Sequence, residues 1–375
     1  MGLIVLLFIV VGFVIGLPLC ASLVRVGHRA GTLDSPGAPG HAKQLRSVPN
    51  IGGIAIFWAA VGPVMLGLLG LLVFSPERIL PESLQPLQQH VLEEVPSWWG
   101  IVLSALLIHL TGLWDDRRTL GPVPKLLVQV VLAVVLASVL DIRMLHVLDQ
   151  YGIAGQVLSI AMTVAWLVVI TNAMNFLDNM DGLCAGIGTI AALILMVTTI
   201  INGQWFLGIS LALLAGSLLG FLVKNFSPAR IFMGDGGSLV IGWLLGIAAI
   251  RITYVDPSDP GYALGTAWYG VLMPLVVLAI PIYDLLSVVL IRIYLGRSPF
   301  VGDQRHFSHR LVQQGLSEPM AVVVIWLLAG ITGIGGMFLG TLLPWQAMLL
   351  AGQVLLVLVL LALLEYAGWR TGTRR

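Results

Sequence analysis

Leu3–Val24 reads L-I-V-L-L-F-I-V-V-G-F-V-I-G-L-P-L-C-A-S-L-V, with no charged side chain in the run. An α-helix rises about 1.5 Å per residue, so about 20 apolar residues cover the ~30 Å hydrocarbon core of a bilayer. The run has that length, lacks a basic leader and exceeds the roughly 7–15-residue apolar core of a signal peptide, so it reads as a retained span. Ten further apolar runs follow, at 51–74, 98–114, 124–140, 155–174, 183–201, 205–223, 237–250, 264–291, 320–340 and 346–365. The expected fold class is all-α: a polytopic membrane helix bundle of about eleven transmembrane helices, forming a single domain over residues 1–375. The run 237–250 is short for a full crossing, and Pro274 and Pro281 predict a kink or tilt in the long run 264–291.

Composition agrees. Hydrophobic residues make up 58% of the chain and charged residues only 10%, where a soluble chain carries about 25%. The formal net charge of +1 excludes nucleic acid as a partner recognised by bulk charge. Cys20 and Cys184 fall inside apolar runs and read as small buried hydrophobes, not a disulfide framework. Lys and Arg set the orientation. Sixteen of the nineteen lie in alternate connections, and only Arg78, Arg143 and Arg251 fall on the other face. The basic face is predicted to be cytoplasmic, which places the N-terminus outside and the C-terminus in the cytoplasm.

The acids differ in placement between the faces. Those outside, among them Asp141 and Asp149, read as solvated loop charge. On the cytoplasmic face Asp115, Asp116, Asp178, Asp181, Asp235 and Asp284 sit at the ends of apolar runs. A carboxylate there costs up to about 3 kcal/mol near a bilayer centre, less at the interface, and calls for a compensating cation. Basic side chains could supply it; hard oxygen ligands beside a phosphate are also how Mg²⁺ is held. In W-D-D-R-R-T-L-G-P-V-P-K-L-L-V-Q, Asp115 and Asp116 end one span, while Pro122 and Pro124 open the next with Lys125 and Gln129 one turn apart. In N-A-M-N-F-L-D-N-M-D-G-L, Asn172, Asn175, Asp178 and Asp181 recur every three residues, as if on one side of a helix. In F-M-G-D-G-G-S-L, Gly234, Gly236 and Gly237 surround Asp235 ahead of a helix, a setting that suits a phosphate. Finally, D-Q-R-H-F-S-H-R-L gathers Arg305, His306, His309 and Arg310. His306 and His309 could form a zinc pair, but His28 and His41 show no companion pattern, so cationic donors to a diphosphate are the preferred reading.

With these segments in order, the chain resembles the polyprenyl-phosphate N-acetylhexosamine-1-phosphate transferases. The resemblance runs from P-N-I-G-G at Pro49–Gly53 to His309. It implies transfer of N-acetylglucosamine 1-phosphate from a UDP-sugar to undecaprenyl or another polyprenyl phosphate, releasing UMP, as the first step of cell-envelope polysaccharide assembly such as cell wall or lipopolysaccharide. It also implies Mg²⁺, with Mn²⁺ as a substitute, and a multi-pass protein of the bacterial cytoplasmic membrane with its active site facing the cytoplasm. Residue by residue, Asp115 and Asp116 match the family's twin aspartates, often assigned to deprotonating the lipid phosphate. Asn175 and Asp235 match its magnesium positions. Phe232 matches an aromatic residue that stacks on uracil. Asp178, Asp181 and Asn225 match the uridine side of the cleft, with Gly234 in the same nucleotide-sugar site. Lys125, Arg305, His306 and His309 match its diphosphate-contacting basic residues. Whether transfer is direct or passes through an aspartyl phosphate stays open, as does the oligomeric state, a homodimer being one arrangement.

Three departures from the family pattern stand out. Asn179 replaces the first Gly of Asp-Gly-x-Asp-Gly, Ser308 replaces a His of His-x-His-His, and the first loop offers Lys43 where Arg-Lys-x-His is usual. The loop Val48–Gly53 also differs from the Pro-Thr-Met-Gly-Gly of the phospho-N-acetylmuramoyl-pentapeptide transferases. The N-acetylglucosamine branch is therefore preferred and the muramoyl-pentapeptide branch is the alternative. A secondary transporter is the rival class; it would place its ionisable residues at mid-membrane within repeated halves. Here they crowd one face and no repeat is visible.

Overall fold

The structure, a computed structural model, describes residues 1–31, 48–73, 85–252, 272–298 and 305–372. His41, Lys43, Arg46 and the start of the expected span 264–291 lie outside them. The described residues are mostly helical, with no strand among them. In chain order the α-helices are α1 (Gly2–Ala30), α2 (Gly52–Ala60), α3 (Gly62–Val73), α4 (Gln85–Arg117), α5 (Pro122–Val139), α6 (Ile153–Phe176), α7 (Leu183–Ile201) and α8 (Trp205–Asn225). They continue with α9 (Asp235–Ile252), α10 (Met273–Val277), α11 (Ala279–Tyr294), α12 (Phe307–Gln313), α13 (Glu318–Gly333) and α14 (Pro344–Gly372).

Ten helical stretches among the described residues are long and apolar enough to cross a bilayer, where eleven were expected. The difference is the run 264–291, which is not one helix. Its described part breaks at Leu278 between α10 and α11. Pro281 has no N–H for the carbonyl four residues back, at Val277, where α10 ends. The short run 237–250 is a full helix of 18 residues that starts at Asp235.

α9 is the centre of the bundle. In its apolar window 83% of residues are buried, against 17% for the span that opens α14. α2, α4, α6 and α7 surround it. Between α4 and α9 the indole Nε1 of fully buried Trp243 donates to Ser104 Oγ at 3.0 Å, so the one polar atom of that large side chain is satisfied. The most extensive helix pair is α1 against α8. Gly12 and Gly16 on α1 face Gly216 and Gly220 on α8, a small-xxx-small seam on both partners. A Cβ at Gly220 would stand 2.8 Å from Leu17 N, and one at Gly12 would stand 3.0 Å from Ser217 N. With no side chains in between, the backbones touch. Close packing of this kind holds helices together in lipid, where apolar burial between helices gains little over burial in lipid.

The connection between α5 and α6 leaves Asp141 64% and Asp149 35% exposed, as solvated loop charge, and adds an ion pair to each. Arg143, its side chain 8% exposed, takes Asp149 with both terminal nitrogens at 2.6 Å and Asp141 through Nε at 2.6 Å. Its guanidinium holds the Asp149 carboxyl below the usual carboxylate range, and the two acids raise Arg143 in turn.

Candidate active site

α4 and α6 finish, and α5 and α9 begin, at one end of the bundle, and the expected acids gather there. After α4 the chain turns at Gly121, whose φ of 79° suits a residue without a side chain, and Pro122 restarts the helix at once. The turn is pinned by Leu120 N–H donating to Asp115 Oδ1 at 2.7 Å. Lys125, in the first turn of α5, is thereby carried back over α4. Its ammonium bridges Asp115 Oδ2 at 2.8 Å and Asp235 Oδ2 at 2.7 Å. The other oxygen of Asp235 accepts from Asn175 Nδ2 at 2.8 Å, and the same amide reaches Ser238 Oγ at 2.9 Å.

Asp116 has a different task. Its two oxygens accept the N–H groups of Asp235 at 2.9 Å and Gly236 at 3.1 Å, so a carboxylate from α4 caps the open N-terminus of α9. Asn50 Nδ2 adds a bond at 3.3 Å, which brings the P-N-I-G-G segment into the site. Gly234, at φ 68°, makes the turn before α9. A Cβ there would stand 2.5 Å from Asp116 Oδ2 and 2.7 Å from Asn50 Oδ1. Asn50 and Ser238 were quoted within motifs but carried no assignment, because their partners lie far along the chain.

The three-residue spacing of Asn172, Asn175, Asp178 and Asp181 does not lie on one helical side. α6 ends at Phe176, and the two acids belong to the turn that follows. Asn172 pairs with Gln129 at 2.6 Å. Asp178 is near enough to Asp116 for their charges to interact. Asp181 Oδ2 accepts from Ala229 N at 2.9 Å. Asn225, 4% exposed, spends its amide inside: Nδ2 donates to the Ile231 carbonyl at 2.9 Å and Oδ1 accepts from Gly182 N at 3.0 Å. It therefore fastens the loop after α8 to the turn after α6. Phe232 is half-buried at the end of that loop. Its backbone N–H donates to Pro49 O at 2.8 Å and its carbonyl accepts from Gly52 N at 2.9 Å.

The basic segment reaches the same end through α11 and α12. Asp284, fully buried, accepts from His306 Nδ1 at 2.9 Å and from the Phe307 N–H at 2.6 Å. The edge-on ring of His306 lies 5.4 Å from Phe176, next to Asn175, and Arg292 covers Phe176 at 5.3 Å. Arg310 is tied to Glu365 at 2.8 Å, to Ser287 at 2.8 Å and to the carbonyl of Arg305 at 2.6 Å, which anchors the segment and orients Arg305. The rings of His306 and His309 lie 6.4 Å apart. Zinc–nitrogen bonds of about 2 Å would need those rings closer, so the zinc-pair alternative loses its support. The sequence sets Asp284 beside the other acids of this face; its task as the anchor of His306 emerges only in three dimensions.

At Lys125 two carboxylates, those of Asp115 and Asp235, meet one ammonium, with the Asp116 carboxylate close by on the start of α9. The lysine occupies a point 2.7–2.8 Å from two carboxylates, the kind of position a small cation takes. No three His, Cys, Asp or Glu side chains among the described residues could hold a metal ion on their own.

Residues 98–253 match the model of glycosyl transferase family 4, a stretch that holds Asp115, Asp116, Lys125, Asn175, Asp178, Asp181, Asn225, Phe232, Gly234 and Asp235. A decaprenyl-phosphate N-acetylglucosaminephosphotransferase of Mycolicibacterium smegmatis is 34% identical over 281 residues, which cover 71% of this chain and 69% of that protein. The chain belongs to glycosyl transferase family 4. A probable undecaprenyl-phosphate N-acetylglucosaminyl 1-phosphate transferase of Bacillus subtilis is 29% identical over 90% of this chain and 86% of its own length. A phospho-N-acetylmuramoyl-pentapeptide-transferase of Moorella thermoacetica is 32% identical over 89% of this chain and 96% of its own. The family match ends before Arg305, His306 and His309.

Proposed function

We propose that this family 4 transferase moves N-acetylglucosamine 1-phosphate from UDP-N-acetylglucosamine to a polyprenyl phosphate in the bacterial cytoplasmic membrane. The observation that carries the proposal is the bridge from Asp115 through Lys125 to Asp235 and Asn175, at the end of an apolar helix bundle. In the net reaction an oxygen of the polyprenyl phosphate bonds to the β-phosphorus of the UDP-sugar. The P–O bond from that phosphorus to the bridging oxygen breaks, and the bridging oxygen leaves with UMP. Both substrates are polyanions, so their charge must be offset before one phosphate approaches the other. Lys125, Arg305 and His309 are suited to the diphosphate, and His306 is oriented towards it by Asp284.

Asp235 and Asn175 fit a divalent cation, because two protein ligands with phosphate oxygens and water satisfy Mg²⁺. When bound, Mg²⁺ (or Mn²⁺) neutralises diphosphate oxygens and makes the phosphorus more electrophilic. Asp115 is assigned to the lipid phosphate, whose proton it can accept. Asp116, with both oxygens on α9, orients Asp235. Phe232 is assigned to the uracil ring, and Asp178 and Asp181 to the uridine side with Gly234, while Asn225 holds that loop in shape. The excess of Lys and Arg on this face supports a cytoplasmic site, with the N-terminus outside and the C-terminus inside.

Purified protein in detergent, given UDP-N-acetylglucosamine and undecaprenyl phosphate, should release UMP. Chelator should stop release, Mg²⁺ or Mn²⁺ should restore it, and Asp235→Asn should abolish it. UDP-N-acetylmuramoyl-pentapeptide in place of the donor tests the other branch, and a faster reaction with it would reassign the sugar. Release of UDP instead of UMP, or turnover in excess chelator, would overturn the mechanism.

A further inference from the structure

Ser308 is 1% exposed, and its hydroxyl donates to Asn179 Oδ1 at 2.6 Å. Asn179 Nδ2 in turn donates to the Phe176 carbonyl at 2.6 Å. None of the roles assigned above uses either side chain. Yet Asn179 stands between Asp178 and Asp181, and Ser308 stands between His306 and His309. These are also the two described positions at which the motifs depart from the family pattern. The structure makes them partners.

We propose that the Asn179–Ser308 hydrogen bond is a latch that sets the acidic turn after α6 in register with the basic segment, so that both are positioning residues for the transfer. The proposal takes its substrates, and only those, from the function proposed above. The basic segment is held on its own side by Asp284 at His306 and Phe307, and by Glu365 and Ser287 at Arg310. Ser308 carries a tie from that segment across to the turn. Phe176, whose carbonyl ends the chain of bonds, is also the ring against which His306 rests. The latch is neutral, so it orders groups on both sides of the diphosphate without competing with an anion for Arg305 or His309. Volume links the two positions as well. At 1% exposure there is no room for a His ring at position 308 beside an Asn amide, whereas a Gly at position 179 would vacate that space. Changing one position alone leaves a buried hydroxyl unpaired or a ring overpacked.

The test is a double-mutant cycle in the whole protein: Ser308→Ala, Asn179→Ala and the pair, with Ser308→Thr as the conservative variant. The readouts are kcat and KM for UMP release, with unfolding temperature followed alongside. Each single change should lower kcat about fivefold, roughly the worth of one neutral hydrogen bond. The pair should be no slower than the worse single, since coupled residues are not additive. Ser308→Thr, which keeps the hydroxyl, should recover kcat to within about twofold of the unaltered protein. Asn179→Gly with Ser308→His should outperform Ser308→His alone. Multiplying losses in the pair, or a lower unfolding temperature with kcat intact, would overturn the latch. If the unaltered protein releases no UMP, the proposed function falls. The same cycle is then read on the rise in unfolding temperature produced by UDP, where coupling supports the latch and additivity refutes it.

Discussion

Gly112→Ala tests whether the contact between α4 and the start of α9 sets the active geometry. Gly112 lies one turn before Asp116, and a Cβ there would stand 2.5 Å from both the carbonyl carbon of Asp235 and the nitrogen of Gly236. Ordinary van der Waals contact begins at 3.4 Å, so the two helices must part by about 0.9 Å. A parting of that size along the bonds from Asp116 to Asp235 and Gly236, now 2.9 and 3.1 Å, would stretch them to about 3.8 and 4.0 Å, beyond hydrogen-bonding range. Overpacking of this kind costs about 1–3 kcal/mol, and a displacement near 1 Å at a reacting centre costs roughly 100-fold in rate. UMP release should therefore fall by one to two powers of ten (about 10–100-fold), with unfolding temperature lowered. Gly67→Ala is the control, because a Cβ there meets nothing within 4 Å; it should leave both readouts unchanged. If Gly112→Ala keeps normal turnover and stability, the capping of α9 by Asp116 does not organise the site.

Three further outcomes are expected. Asp284→Asn places an NH₂ group against the N–H of His306 or Phe307 in a buried site, so it should cost about 1.5–3 kcal/mol in thermal unfolding and slow UMP release; unchanged stability would argue against the anchor. Phe232→Ala should raise KM for the UDP-sugar by the equivalent of about 1–3 kcal/mol of base stacking while leaving KM for the polyprenyl phosphate nearly unaltered, and equal losses would mean a packing role. Because Arg143 holds the folded-state pKa of Asp149 below its unfolded value of about 3.9, that pair's contribution is full above this pH and is lost as pH falls through the lowered folded value. Asp149→Asn should accordingly flatten the decline in unfolding temperature below about pH 4, and an unaltered acid limb would refute the pairing.

The helices were legible because lipid imposes a length on them. Leu183–Ile201 begins and ends where its apolar run does, and Trp205–Asn225 runs only two residues past its own. The break at Leu278 was legible only as a bend, since a proline announces a missing bond without saying how far the helix gives way. Asp115, Lys125 and Asp235 declared themselves as charge at apolar ends. What could not be read was pairing across the chain. Nothing near Asn50 says that it will meet Asp116, sixty-six residues away. Asp284 reads as one more acid at an apolar end, and its partner is a histidine twenty-two residues on. The three-residue rhythm from Asn172 to Asp181 misled for the opposite reason: periodicity describes a helix only while the helix lasts, and α6 stops at Phe176.

The glycine seam between α1 and α8 bears on how the chain is made. Gly12 must await Gly216, roughly 200 residues later, and at ~5–20 residues per second of synthesis the delay is about 10–40 s. Throughout that time α1 has α2 as a neighbour, but its glycine stripe is without its mate on α8. It is equipped for the wait, since its window has the highest mean hydropathy of the ten candidate spans, 3.1. Even in the finished protein only 22% of that window is buried. Its narrow glycine stripe leaves the rest of its surface content in hydrocarbon, so α1 can stand in lipid until α8 arrives.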